Sequence, residues 1–237
     1  MPHEVYVFGD SHWRVYFPFL NTGAPGICHE SKGIVTLDTT ANELSGATMY
    51  GLRKEQTRIG ARKRILDTID GYGSVENVGL VFGEVDLRYH YERYFRDGMI
   101  HMPSVLDLVL GYRRFIEDDL IRTGRVQNKV FVYYGFRYSQ EFVDSFGPQN
   151  YLKVQWLNRT LERLIEGIAG LPDDPYGGRI IPIIPGRMIE QNPGGYDRDD
   201  DLIGGRYKDD GVHMNGNIYN DFILPVMSLE LGTDAYG

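Results

Sequence analysis

The sequence predicts an α/β protein, a three-layer α/β/α sandwich built on a mostly parallel five-stranded sheet. Three observations carry that reading. Short apolar, β-branched runs bounded by Gly, Pro or charge have the form of buried strands, and longer stretches with apolar residues at three- and four-residue spacing have the form of amphipathic helices. The two kinds alternate along the chain without an internal repeat, which is the pattern of a sheet covered by helices on both faces.

Taken in order, the first strand is VYVF at 5–8, broken at once by Gly9 and Asp10. GIVTL at 33–37 is the second. LRKEQTRIGARKRILDTI at 52–69 carries helical spacing and leads to a third strand, VGLVF at 78–82. PSVLDLVLGYRRFIEDDLIR at 103–122 opens with Pro103, suited to the first turn of a helix because its missing N–H has no partner there anyway. KVFVYY at 129–134 is the fourth strand, QNYLKVQWLNRTLERLIEGIA at 149–169 the next helix, and RIIPII at 179–184 the fifth strand.

Composition bounds the setting. With 237 residues, 42% of them hydrophobic, the chain can bury a sizeable core, and one domain over 1–237 is the expectation. A formal charge of -8 argues against a general nucleic-acid binder, since phosphate contacts need a concentrated positive field. Cys28 is the lone cysteine and cannot form a disulfide within the chain. It stands in GAPGICHE, read as a loop. The start MPHEVYVFGD has neither a basic n-region nor a long apolar h-region, and no apolar run approaches the roughly 18 residues of a membrane helix. A soluble cytoplasmic protein without membrane insertion follows as the expectation. The sequence calls for no cofactor and sets no oligomeric state.

Sheets of this kind carry their sites at the carboxyl ends of the strands, which singles out Ser11, just past the first one. A serine hydroxyl is a weak nucleophile at its ordinary pKa and needs a base within hydrogen-bond reach, oriented in turn by a third group. Of six histidines, only His213 sits in a setting that supplies its own carboxylate: in DDGVHMNGN, Asp210 precedes it by three residues and Gly211 allows a tight turn. Asp210 can then hold Nδ1 while Nε2 faces the serine. Taken singly, a Gly-Asp-Ser tripeptide is commonly only a turn and an Asp three before a His is weaker still. Their joint position, after the first strand and before the last helix, gives them weight.

Four blocks in the same order make the chain resemble the SGNH (GDSL-type) hydrolases, a family of esterases, lipases and carbohydrate deacetylases with a flavodoxin-like fold. FGDS at 8–11 is similar to the nucleophile block and DGVH at 210–213 to the terminal block with acid and base. ELSGATMYGL at 43–52 is similar to the second block, so the resemblance implies that the backbone N–H of Gly46 serves the oxyanion hole. VFGEVD at 81–86 stands where the family has Gly-x-Asn-Asp and departs from it, because Val85 occupies the position of the asparagine and has nothing to donate. It resembles a variant subgroup with Gly-Glu-Ile/Val-Asp-x-Arg. Losing one oxyanion donor costs about a hundred- to a thousandfold in rate. Arg88 and His90 are the candidate substitutes, with Glu84 and Asp86 holding Arg88, and Arg88→Met is expected to lower turnover with little effect on folding.

The resemblance implies a serine ester hydrolase acting through Ser11, His213 and Asp210, with Gly46, Arg88, Asp86, His12 and His90 around the oxyanion and substrate. Abundant aromatics, among them Trp13 and Tyr89 beside site residues, tilt the substrate toward a small or carbohydrate O-acetyl ester. Alternatives stay open: an acyltransferase on the same triad, a non-catalytic binding protein that keeps the fold, and, more remotely, a metal-dependent hydrolase using DRDDDL at 197–202 and KDDG at 208–211. That acidic stretch lacks the register of a calcium loop and reads instead as a long loop delivering Asp210 and His213. The basic run 52–64, with Arg53, Lys54, Arg58, Arg62, Lys63 and Arg64, has the charge to attract an anionic ligand, and reads first as the solvated face of a helix.

Overall fold

The computed structural model describes residues 2–10, 27–38, 44–134, 138, 140–169, 176, 178–189, 196–197, 202–203 and 217–233. Ser11, His12, Asp210 and His213 lie outside the described residues.

Each of the five apolar runs forms a strand of one sheet: β1 (His3–Gly9), β3 (Ile34–Asp38), β4 (Asn77–Val81), β7 (Val130–Tyr133) and β8 (Ile180–Ile183). The five are mutually parallel, in the order β3, β1, β4, β7, β8. The sheet has six strands rather than the expected five. β2 (Ile27–Ser31) adds an antiparallel edge beyond β3, joined to it through Lys32 and Gly33, both at positive φ. Cys28 therefore stands in a strand, paired with Leu37, and not in a loop. The opposite edge is β8, where Pro182 is tolerated because an edge strand can spare an N–H. A small hairpin, β5 (Phe95–Arg96) and β6 (Met99–Ile100), and the two-residue pair β9 (Tyr196–Asp197) and β10 (Leu202–Ile203) stand apart from the sheet.

The helices are α1 (Met49–Leu52), α2 (Ala61–Gly71), α3 (Glu84–His90), α4 (Met102–Arg114), α5 (Gln140–Phe146), α6 (Pro148–Ala169), α7 (Pro185–Ile189) and α8 (Leu224–Glu230). The helix expected over 52–69 forms only in its second half: α1 ends at Leu52, and α2 begins at Ala61 after Gly60, at φ +66, whose N–H donates to Thr57 Oγ1 at 3.1 Å and closes a turn ahead of the helix. α4 begins with Pro103 in its first turn, as its sequence implies, and continues as a π-helical stretch, Phe115–Ile121.

Burial follows the periodicities. Val5, Val7 and Phe8 of β1 and every residue of β4 and β7 are buried, the mark of strands covered on both faces. Ala61, Ile65 and Ile69 of α2, Val105, Leu108, Val109 and Tyr112 of α4, and Val154, Leu157, Leu161, Ile165 and Ile168 of α6 supply the helical stripes. On α8, Met227 is fully buried and its sulfur accepts from Tyr133 Oη at 3.1 Å. At the amino end of the sheet, buried Asn77 ties three strands: its amide donates to the Glu4 carbonyl at 2.9 Å, and its oxygen accepts from Lys129 N at 3.2 Å. Among the described residues, no helix is long and apolar enough to cross a membrane.

Candidate active site

Four of the five parallel strands end level. Gly9 of β1 pairs with Val81 of β4, Val81 with Tyr133 of β7, and Tyr133 with Ile183 of β8, so the carboxyl ends form a straight edge. The residues just beyond continue the ladder: Asp10 N donates to the Val81 carbonyl at 2.9 Å and Tyr134 N to the Ile183 carbonyl at 3.0 Å. Asp10, immediately before Ser11 in sequence, is fully buried.

The second and third motif blocks meet at this edge. β4 leaves the sheet at Phe82 and turns through Gly83 into α3, whose first turn holds Glu84, Val85 and Asp86, all buried. Gly83 adopts φ +121, and a Cβ there would lie 2.4 Å from Tyr134 Cε2, so only glycine lets the chain turn beneath that ring. Asp86 points at the start of α1 and accepts hydrogen bonds from Met49 N at 2.7 Å, Tyr50 N at 3.3 Å and Tyr94 Oη at 3.5 Å. Those amides are among the donors that a helix start leaves without intrahelical partners. Thr48 completes the cap by accepting from Gly51 N at 2.8 Å. Asp86 is thus a positioning residue for the segment that follows Gly46. Burial is the main force on its carboxyl and pushes its pKa up to about 7; the Met49 and Tyr50 amides pull the other way, and nearby Asp10 adds to the rise.

Gly46 itself lies at the surface with φ +77, a conformation that a side-chain-bearing residue adopts only with strain. It lines a cavity of about 540 Å³ that also takes in Tyr50, Lys54, Arg58, His90 and Arg93. Part of the basic run therefore faces this cavity. Three others are paired elsewhere: Arg53 with Asp107 at 2.5 Å, Arg62 with Asp119 at 2.9 Å, and Lys63 with Asp67.

Arg88 Nε lies 2.8 Å from Glu84 Oε1, one helical turn back, and the Glu84 side chain is fully buried. Of the two acids read as holding Arg88, Glu84 does so; Asp86 turns to α1 instead. The Arg88 guanidinium stacks 4.7 Å from the centre of the exposed Tyr89 ring. Val85 is buried and apolar. The pKa of His90 is lowered by burial and, secondarily, by the Arg93 charge, which favours the neutral imidazole. His101 Nδ1 lies 2.7 Å from Ser104 Oγ at the start of α4, and His3 Nδ1 lies 2.5 Å from Glu76. Tyr94, Phe95, Tyr134 and Tyr138 belong to the buried core, whereas Tyr89 is solvent-facing.

The role of Asp86 as a cap was not legible in the sequence, because its partners are backbone amides 36 and 37 residues away. The cavity beside Gly46 was hidden for a related reason: His90, the last residue of α3, and Arg93, just beyond it, reach the cavity from far along the chain from Lys54 and Arg58.

No protein-family model and no curated protein matches the chain. Solved structures do match. A native aryl esterase from M. smegmatis aligns with a TM-score of 0.55 at 14% identity, over 98% of this chain and 99% of the other. A carbohydrate acetylesterase family member from Sinorhizobium meliloti aligns with a TM-score of 0.52, also at 14% identity, over 97% and 99%. The class these likenesses define is one of architecture: a mostly parallel sheet between helices, in the arrangement that those esterases share.

Proposed function

We propose that the protein is a serine ester hydrolase of the SGNH (GDSL-type) kind, cleaving a small or carbohydrate O-acetyl ester by way of an acyl-enzyme. The observation that carries this reading is the bond between Asp86 and Met49, which joins the third motif block to the second at the carboxyl edge where β1 runs into Ser11. Full-length likeness to an aryl esterase and a carbohydrate acetylesterase supports it.

In this scheme Ser11 Oγ attacks the ester carbonyl as His213 Nε2, oriented by Asp210, takes its proton. The carbonyl π pair moves onto oxygen, held by the backbone N–H groups of Ser11 and Gly46. Collapse expels the alcohol, which leaves with the proton from His213. A water then adds to the acyl-enzyme through the same base and releases the acid. Arg88 contributes its remaining guanidinium donors in place of the amide that Val85 lacks, with Glu84 fixing its Nε.

Labelling with a fluorophosphonate probe, with Ser11→Ala and His213→Ala variants alongside and mass mapping of the adduct, tests the reading. An adduct on Ser11 that vanishes in both variants is the expected result. Absence of any adduct on folded protein rejects it, and the buried apolar Val85 then favours a binding protein that keeps the fold.

A further inference from the structure

The cavity beside Gly46 carries an imbalance of charge. Lys54, Arg58 and Arg93 line it, and among the described residues no carboxylate does. No carboxylate among those residues pairs with any of the three. A second cavity shows what balance looks like: there Arg53, Arg62 and Arg114 face Asp107, Asp118 and Asp119. An unbalanced positive hollow is unexpected in a chain of net charge -8.

The cations are gathered rather than scattered. Lys54 Nζ lies 4.6 Å from the centre of the Tyr50 ring, and the guanidinium carbon of Arg93 lies 5.6 Å from it, from the far side of the sequence. Arg53, tied to Asp107, packs on the same ring at 4.3 Å. A cation over an aromatic face keeps its charge while losing freedom, so Tyr50 presets the positions of Lys54 and Arg93. Tyr50 is itself fixed through its backbone N–H by Asp86. The positive groups are therefore held in register with the turn that carries Gly46.

Resting on the acyl-transfer reading of the site, the geometry points to a substrate that carries an anionic group, bound in this cavity by Lys54, Arg58 and Arg93 while its ester lies at Gly46. Guanidinium and ammonium donors to a carboxylate or phosphate make charge-assisted bonds about twice as strong as neutral ones, so the charge is a selecting feature and not a passive one. A sugar acid, a hydroxy acid or a dicarboxylic half-ester meets the requirement; a neutral ester of the same size does not.

Two matched pairs of esters test this. One pair puts the charge on the acyl side, mono(4-nitrophenyl) glutarate against 4-nitrophenyl hexanoate; the other puts it on the leaving group, 4-acetoxybenzoate against 4-acetoxybenzamide. The expected result is a preference of about tenfold or more in kcat/KM for the anionic member of at least one pair. In the Lys54→Gln/Arg58→Gln double variant that ratio collapses toward one. Lys63→Gln, which removes one positive charge from the outer face of α2, leaves the ratio as it was. Equal rates within both pairs overturn the inference and leave the esterase reading standing. Calorimetric titration with glutarate and with 4-hydroxybenzoate separates the remaining case: if no ester turns over, binding that the double variant loses supports the cavity while rejecting the esterase, and no binding overturns the cavity as well.

Discussion

A carboxylate oxygen of Asp86 sits 2.7 Å from the backbone nitrogen of Met49, so a fully buried acid in the first turn of α3 holds the first amide of the helix that follows Gly46. Two segments separated by more than thirty residues are thereby fixed to each other at the sheet's carboxyl edge.

Removing that acid loosens the Gly46 turn. Asp86→Ala is expected to cost about 1–3 kcal/mol of stability, the usual penalty for orphaning buried donors, and to lower kcat more than it raises KM. Asp86→Asn keeps one acceptor for Met49 N–H and loses less of both. Denaturant unfolding and steady-state kinetics on an activated ester check the pair.

The same carboxyl gives stability a pH dependence of defined sign. Its pKa is 3.8 in the ordinary state and about 7 when buried in the fold, so between those values the folded chain binds the proton more readily than the unfolded one. The contribution is fully present below pH 4 and is lost as pH rises toward 7, with a total on the order of 4 kcal/mol. Chemical unfolding of the wild type and of Asp86→Asn at a series of pH values reads this directly: the wild type is expected to gain stability relative to the variant as pH falls from about 7 to about 4, and to gain no more below that.

Arg88→Met carries a folding penalty that the sequence did not suggest. Glu84 is fully buried, and Arg88 Nε at 2.8 Å is the cation beside it, so truncation removes the counter-charge of a buried carboxylate. The expected loss is about 3 kcal/mol, together with reduced turnover. Glu84→Gln/Arg88→Met, which removes both charges, recovers much of the stability and none of the turnover, a split that thermal melts and kinetics resolve.

Two glycines respond to alanine in opposite directions. Gly83→Ala places a methyl 2.4 Å from Tyr134 Cε2 at φ +121 and is expected to cost more than about 2 kcal/mol. Gly167→Ala, within α6 and with nothing inside 4 Å of the new carbon, is expected to stabilise by roughly 0.5–1 kcal/mol. Unfolding midpoints of the two variants settle the signs.

The five parallel strands were legible because each is a short, largely apolar run, and three of them, β1, β4 and β7, are buried on both faces. β2 was not, since ICHES offers one aliphatic residue and no alternation; its strand conformation comes from pairing with β3 rather than from its own pattern. The late start of α2 was hidden because helical spacing persists through 53–60, while the turn closed by Gly60 N–H on Thr57 Oγ1 stands immediately ahead of Ala61. At the site, the Glu84 and Arg88 pairing was readable as an i, i+4 relation, whereas the cap on α1 and the cavity cations depend on distant segments meeting. Ser11, His12, Asp210 and His213 rest on motif and order alone, outside the described residues.

The place of β1 between β3 and β4 also governs how the chain can assemble. The β2–β3 hairpin closes over two residues and forms among near neighbours. β1 gains its second partner only when 77–81 arrives, and the ladder Val130↔Ile180 joins residues fifty apart. Each of those parallel pairings demands that a long stretch of chain be gathered before any hydrogen bond repays it, so folding is paced by distant encounters rather than by local helix formation. The carboxyl edge comes into being only when strands made at widely separated moments of synthesis lie side by side.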